Sequence, residues 1–235
     1  MPSKMPQAPP MDLPEYLTEK RVLILLLLLS GITGLSSFLY EIGWIRLLSL
    51  ILGSSTHSFD IMVSAFILGL ASGSLCSRFI MQTRQNPLFL LGLIQIAMGC
   101  FAALSLVSYE QIFALMNQSH AVLQHSPEAY SVYSAFKYLL CTLLMFPTSF
   151  CAGITLPLIT WSLLRISRKE QHIGNVYASN TLGSILGAVC GGLLLLPLLQ
   201  LKGMLLLGAI FDIVLGLVLF VLLKTSVWKT SVYAT

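Results

Sequence analysis

Four charged residues lie inside long apolar stretches, where a charge is costly and usually serves a function. They are Glu41, Arg46, Asp60 and Asp212. A carboxylate in such surroundings attracts a cation, and an aromatic ring beside it adds cation–π attraction. Tyr40 adjoins Glu41, and Trp44, three positions later, shares a helical face with it. The predicted chemistry is therefore the binding of a small organic cation by Tyr40, Glu41, Trp44, Asp60 and Asp212.

The same residues also have structural interpretations. Tyr40, Glu41 and Trp44 are equally typical of an aromatic belt that anchors a helix at the membrane surface. Asp212 has no charged neighbour in sequence, so it is protonated, hydrated or paired with another helix. Asn180 is a further candidate, either as a ligand-binding group or as a hydrogen-bond donor between helices.

The elements that carry these residues are predicted to be membrane helices. Of the 235 residues, 56% are hydrophobic and only 9% are charged, whereas soluble domains have about 25% charged residues. Several segments exceed the roughly 20 apolar residues that cross a bilayer. We expect an all-α membrane protein of about six transmembrane helices whose main partner is the lipid bilayer. The predicted spans are 22–53, 58–80, 88–107, 136–164, 176–199 and 204–223.

The basic residues indicate how these spans are oriented. If the six spans alternate, ten basic residues fall on one side: Lys4, Lys20, Arg21, Arg78, Arg84, Arg165, Arg168, Lys169, Lys224 and Lys229. Arg46, Lys137 and Lys202 fall on the other. By the positive-inside rule this distribution predicts a protein of the inner (plasma) membrane with both termini in the cytoplasm. The predicted cytoplasmic tails are 1–20 and 225–235. The transmembrane domain between them, 21–224, has an external loop, 108–135.

Small residues at four-residue spacing predict close helix packing. They are Ser179, Gly183, Gly187 and Gly191 in the fifth span, and Gly69 and Gly73 in the second. A sliding surface in a transporter is the alternative interpretation of these faces.

Other kinds of chemistry lack a sequence signature. The chain has no nucleophile elbow, phosphate-binding loop or zinc-protease motif, which argues against an enzyme. The five cysteines form no CxxC pair and the four histidines are scattered, so we expect neither a metal nor a cofactor. The basic excess is read as membrane orientation, so nucleic acid is not an expected partner.

Several segments resemble the membrane region of spermidine-synthase-like proteins. They are YEIGWIRLL (40–48), AFILGLASGS (65–74), GITLPL (153–158), GNVYASNTLG (174–183) and GLLLLP (192–197). Members of that family resemble a fusion of a multi-helix membrane region with a soluble aminopropyltransferase-like domain. The resemblance implies the membrane region without the synthase domain, so no catalytic residue is carried over.

The membrane region also resembles half of a major-facilitator transporter. GSLCSR (73–78) is similar to the loop between helices two and three of that superfamily, with Ser77 in place of its usual aspartate. Half a transporter implies a homodimer that encloses the pathway. The resemblances together imply transport or channelling of a polyamine or other small organic cation. The alternative is a non-catalytic membrane scaffold for a separate soluble synthase-like subunit or a larger complex.

Overall fold

The structure, a computed structural model, describes residues 18–52, 56–83, 86–123, 127–167, 169 and 171–232. Its elements are Glu19–Leu52 (α1), Thr56–Thr83 (α2), Pro87–Leu123 (α3), Pro127–Ser167 (α4), Gln171–Cys190 (α5), a π-helical turn at Gly191–Leu195, and Leu196–Val232 (α6). Throughout these ranges every element is helical, so the predicted fold class, an all-α membrane bundle, is confirmed.

Five helical stretches are long and apolar enough to cross a membrane. They are Glu19–Leu50, Thr56–Met81, Pro87–Tyr109, Tyr138–Ser167 and Gln171–Leu223. Large apolar side chains are exposed on the outer surface of every helix, for example Leu75 at 72% and Val107 at 68%. Such a continuous apolar exterior is suited to contact with lipid rather than water.

The fifth stretch reverses direction at Gln200, where the backbone turns to φ 58° and ψ −179°. Contacts with α1 show the reversal. Gly183 lies against Gly31, and Gly187 against Leu35, so α5 runs parallel to α1. Beyond Gln200 the order inverts, since Gly208 lies against Tyr40 and Asp212 against Ser36. The 53-residue stretch is therefore a hairpin of two antiparallel helices.

The π-helical turn lies just before the reversal. The Leu196 N–H bonds to the carbonyl of Gly191, five residues back, instead of four. Pro197 follows at once, and a proline ring clashes with the carbonyl four residues before it in a regular α-helix. The wider turn relieves this clash, so the chain stays helical from α5 to the reversal at Gln200.

Two segments that the sequence associates with loops are helical. The predicted external loop, 108–135, is helical wherever the structure describes it, because α3 continues to Leu123 and α4 begins at Pro127. A helix satisfies its own backbone hydrogen bonds, so it can extend beyond the bilayer, and proline is favoured at a first helical position. The segment 73–78 lies inside α2, within the predicted second span, and the Ser77 hydroxyl donates to the Ser74 carbonyl at 2.6 Å.

In the bundle α1 packs on α5 and α6, α2 packs on α4, and α3 packs on α4 and α6. Small residues lie where backbones approach most closely. Gly183 lies against the Gly31 carbonyl, and Gly73 against Phe150 and Gly153. In the α3–α6 contact, a Cβ at Gly216 would lie 2.6 Å from the Gly92 carbonyl oxygen. These contacts bring the polar residues of α1 to the centre of the bundle.

Candidate functional site: a polar cavity and a buried carboxyl group

A cavity of about 350 Å³ lies between α1, α2, α4 and α5. Its volume is within the range of small-molecule sites, about 300 to 1,000 Å³. Polar groups from all four helices line it, among them Ser37, Glu41, Ser74, Thr155, Asn180 and Ser184. Phe38, Phe66 and Tyr177 add aromatic rings. Among the described lining residues, Glu41 is the only Asp, Glu, Lys or Arg.

Glu41 reaches the cavity because α1 presents one face to it. Gly34, Ser37, Phe38 and Glu41 follow at helical spacing and all line the cavity. The Glu41 side chain is half-buried. A carboxylate held there, beside aromatic rings and hydroxyl groups, is suited to a cationic ligand.

Three polar bonds hold α5 against this part of α1. The Ser30 hydroxyl donates to the Val176 carbonyl at 2.9 Å, and the Ser179 hydroxyl to the Leu27 carbonyl at 2.7 Å. The Asn180 amide nitrogen donates to the Ser30 carbonyl at 3.1 Å. Asn180 therefore has the predicted interhelical role while it also lines the cavity.

Asp212 lies on the other side of α1 and is fully buried. Its two carboxyl oxygens accept hydrogen bonds from α1: Ser36 donates to Oδ1 at 2.8 Å, and Tyr40 donates to Oδ2 at 2.5 Å. Of the interpretations of Asp212 left open by the sequence, bonding to another helix is the one observed. The acceptor groups are paired with neutral donors rather than with a cation.

Trp44 belongs to the Asp212 side of α1. It stacks on Tyr40 with ring centroids 5.5 Å apart, and its indole N–H donates to the Ser105 hydroxyl at 3.1 Å. Trp44 is fully buried and does not line the cavity. The structure therefore separates Glu41 and Trp44, although their spacing placed them together in the prediction.

The predicted site residues thus fall into three groups. Glu41 and Asn180 line the cavity, while Tyr40, Trp44 and Asp212 form a buried group behind it. Asp60 belongs to neither, since it is exposed in the second turn of α2. Only the first group is arranged to bind a ligand in the cavity.

Neutral polar residues of the site were missed in the sequence. Gln95 of α3 is fully buried; its amide nitrogen donates to the Thr33 hydroxyl at 2.5 Å, and its Oε1 has no partner within the described part of the chain. Thr33 also lines the cavity, and Ser36 bonds to Asp212. The sequence did contain signals for these residues. Gln95 is a lone amide in the apolar third span, and Thr33 and Ser36 are hydroxyl groups at helical spacing in the first span.

The described ranges contain no group of three or more His, Cys, Asp or Glu side chains that could hold a metal ion. The cysteines are free thiols, two of them buried, Cys141 and Cys151. The side chains that line the cavity are suited to hydrogen bonding and ionic contacts with a ligand.

No family model, no curated protein and no solved structure matches the chain. The resemblance to spermidine-synthase-like and major-facilitator proteins therefore stays a prediction. A functional proposal has to rest on the cavity itself.

Proposed function

We propose that this protein binds a small organic cation in the cavity between α1, α2, α4 and α5, and transports it across the membrane. The single observation that carries this proposal is the Glu41 carboxylate in the wall of a 350 Å³ cavity within the bundle. A charge there is costly without a counter-charge, and a cationic ligand supplies one. The rings of Phe38, Phe66 and Tyr177 favour an organic cation over a hydrated metal ion.

The charge of the cavity narrows the class of ligand. Glu41 supplies one negative charge, and Asp212 lies behind α1 and already accepts bonds from Ser36 and Tyr40. One carboxylate balances one positive charge, so a monoamine or a quaternary ammonium fits better than a polyamine, whose further charges would remain unpaired. Spermidine, the ligand class implied by the family resemblance, is therefore the weaker candidate.

Binding to the purified protein in lipid nanodiscs tests this proposal. We expect Glu41→Gln to lower affinity for a monoamine or a quaternary ammonium at least about tenfold, because removing one partner of a desolvated charge pair costs about 2 kcal/mol or more. Asp60→Asn makes the same acid-to-amide change at an exposed position outside the cavity, and should bind as the wild type does. Putrescine and spermidine complete the series.

Uptake into proteoliposomes then separates transport from binding alone. Equal affinities for the wild type and Glu41→Gln would contradict the proposed site. Binding without uptake would contradict transport, and a wild type that binds none of the four cations would contradict both. If a wild type that binds none of these cations were purified together with a stoichiometric partner protein, the alternative role as a non-catalytic membrane scaffold or subunit would be favoured.

We further propose that the protein lies in the inner (plasma) membrane with both termini in the cytoplasm. Two features support this orientation. The hairpin at Gln200 makes α6 antiparallel to α1, which brings the start of α1 and the end of α6 to the same side. Lys20 and Arg21 lie at that start, and Lys224 and Lys229 follow the apolar stretch that ends at Leu223.

A further inference from the structure

We propose that Asp212 is a proton-binding site that the protein loads and unloads, distinct from the cation site at Glu41. Asp212 lies near the middle of the last helix and has no exposed surface. An ionised carboxylate at that depth is costly, and two neutral donors compensate for it only in part. A protonated carboxyl group removes that cost but needs an acceptor for its new hydrogen. A site that can exchange a proton must therefore satisfy both states.

Ser36 meets this requirement because its hydroxyl oxygen is within bonding distance of two acceptors. It lies 2.8 Å from Asp212 Oδ1 and 3.1 Å from the Thr33 carbonyl oxygen. A serine hydroxyl has one hydrogen, so it donates to one of them at a time. With Asp212 ionised, Ser36 donates to Oδ1. With Oδ1 protonated, Asp212 donates to Ser36, and Ser36 donates to Thr33 instead.

Tyr40 serves both states without moving, since it donates to the other carboxyl oxygen, Oδ2, at 2.5 Å. Protonation thus forms one O–H bond at Oδ1, breaks one O–H bond of a hydronium ion and leaves water. No buried donor or acceptor of Asp212, Ser36 or Tyr40 loses its partner in either state.

On each neighbouring helix the groups that face Asp212 are hydroxyl, thiol or amide groups, so Asp212 itself is where the charge changes. On α1 the facing groups are Ser36 and Tyr40, and Glu41 lines the cavity. On α4 the Cys151 thiol is near enough to interact with the Asp212 charge. On α3 the polar group beside this cluster is the neutral Gln95 amide, bonded to Thr33.

Thr33 connects this site to the cavity. It lines the cavity, and its carbonyl oxygen is the alternative acceptor for Ser36. A change of protonation at Asp212 thus alters a bond to a cavity-lining residue. The proton site itself does not depend on the identity of the cavity's ligand.

Infrared difference spectroscopy of the whole protein in lipid tests the proposal, because a protonated carboxyl group absorbs apart from the amide bands. We expect a carboxylic acid band that disappears as pH is raised, shifts in heavy water, is absent in Asp212→Asn and remains in Glu41→Gln. Tyr40→Phe keeps the carboxyl group but removes the donor to Oδ2, so the band should remain and change frequency. This variant keeps the test valid if Asp212→Asn does not fold.

Two results would overturn the inference. One is a set of spectra in which no carboxyl band is lost in Asp212→Asn and none changes frequency in Tyr40→Phe. The other is an Asp212 band that neither titrates nor shifts in heavy water, which would mean a permanently protonated structural group. Either result leaves the Glu41 proposal standing, and loss of cation binding leaves this one standing.

Discussion

The contact between α1 and α5 allows a graded test of how closely these helices approach. Along α5 and the π-helical turn, four glycines differ in what an added Cβ would meet. At Gly183 it would run into the Gly31 carbonyl, and at Gly187 it would lie 2.6 Å from the Leu35 carbonyl oxygen. At Gly191 the nearest atom is the end of the Leu39 side chain, at 2.9 Å, and at Gly192 nothing lies within 4 Å.

These distances predict an order of stability for single Gly→Ala variants. At position 187 the Cβ falls about 0.8 Å short of the 3.4 Å of ordinary contact, and the atom it meets is backbone, so the helices must separate. Overpacking of this kind costs about 1–3 kcal/mol. Replacing glycine by alanine within a helix returns about 0.5–1 kcal/mol.

The expected free energies of unfolding follow from these two contributions. Gly183→Ala should lose about 1–2 kcal/mol and Gly187→Ala up to about 1 kcal/mol. Gly191→Ala should be close to neutral because the Leu39 side chain can move, and Gly192→Ala should gain up to about 1 kcal/mol. Separation of α5 would also stretch the bond from Ser30 to the Val176 carbonyl, which adds to the loss at Gly183.

Unfolding in mixed micelles titrated with sodium dodecyl sulfate measures the series, with Gly192→Ala as the matched control. The reasoning would be refuted if Gly183→Ala were as stable as Gly192→Ala, or if the losses followed helix propensity alone. In either case the two backbones would not be in contact at Gly31.

Two further predictions concern α4 and the orientation of the chain. Thr148 is buried and its hydroxyl has no partner among the described residues, so Thr148→Val should raise the free energy of unfolding by about 1 kcal/mol. Thr155→Val removes a 2.7 Å bond to the Ala152 carbonyl on the same helix and should lower the free energy of unfolding. Equal effects of the two substitutions would contradict the view that, of these two hydroxyl groups, only that of Thr148 lacks a partner among the described residues. Reporter tags should be accessible from the cytoplasm at both termini and from outside when inserted after Leu123, and tags found on a single side at all three places would exclude the proposed orientation.

The fold class could be predicted because lipid restricts the chain to few solutions. Long apolar segments have to be helices when no water is available to bond their backbones. The positions of close approach on α5 were also visible, since Ser179 and three glycines recur at the spacing of one helical face. The secondary structure of the segment 108–135 could not be predicted from its polar residues, because they are compatible both with a loop and with a helix that leaves the membrane.

The site was harder to predict because it depends on the rotation of α1. Glu41 and Trp44 are three residues apart, and helices pack on α1 from both sides. A small difference in rotation decides which residues face α5 and which face α6. Asp212 could be singled out from its charge, but its partners, Ser36 and Tyr40, are more than 170 positions away in the chain, where no local pattern reaches.

That separation in sequence has a consequence for how the protein is made. The ribosome delivers α1 before α6, so the carboxyl group that engages Ser36 and Tyr40 arrives only after the helices between them. Until then the Tyr40 hydroxyl lacks this acceptor in a medium that offers few substitutes, whereas Ser36 can donate to the Thr33 carbonyl of its own helix. Biogenesis therefore requires the nascent helix to stay beside the insertion machinery, or to bond temporarily elsewhere. Truncation before α6 should thus yield an intermediate that is retained there and degraded rather than a smaller stable bundle.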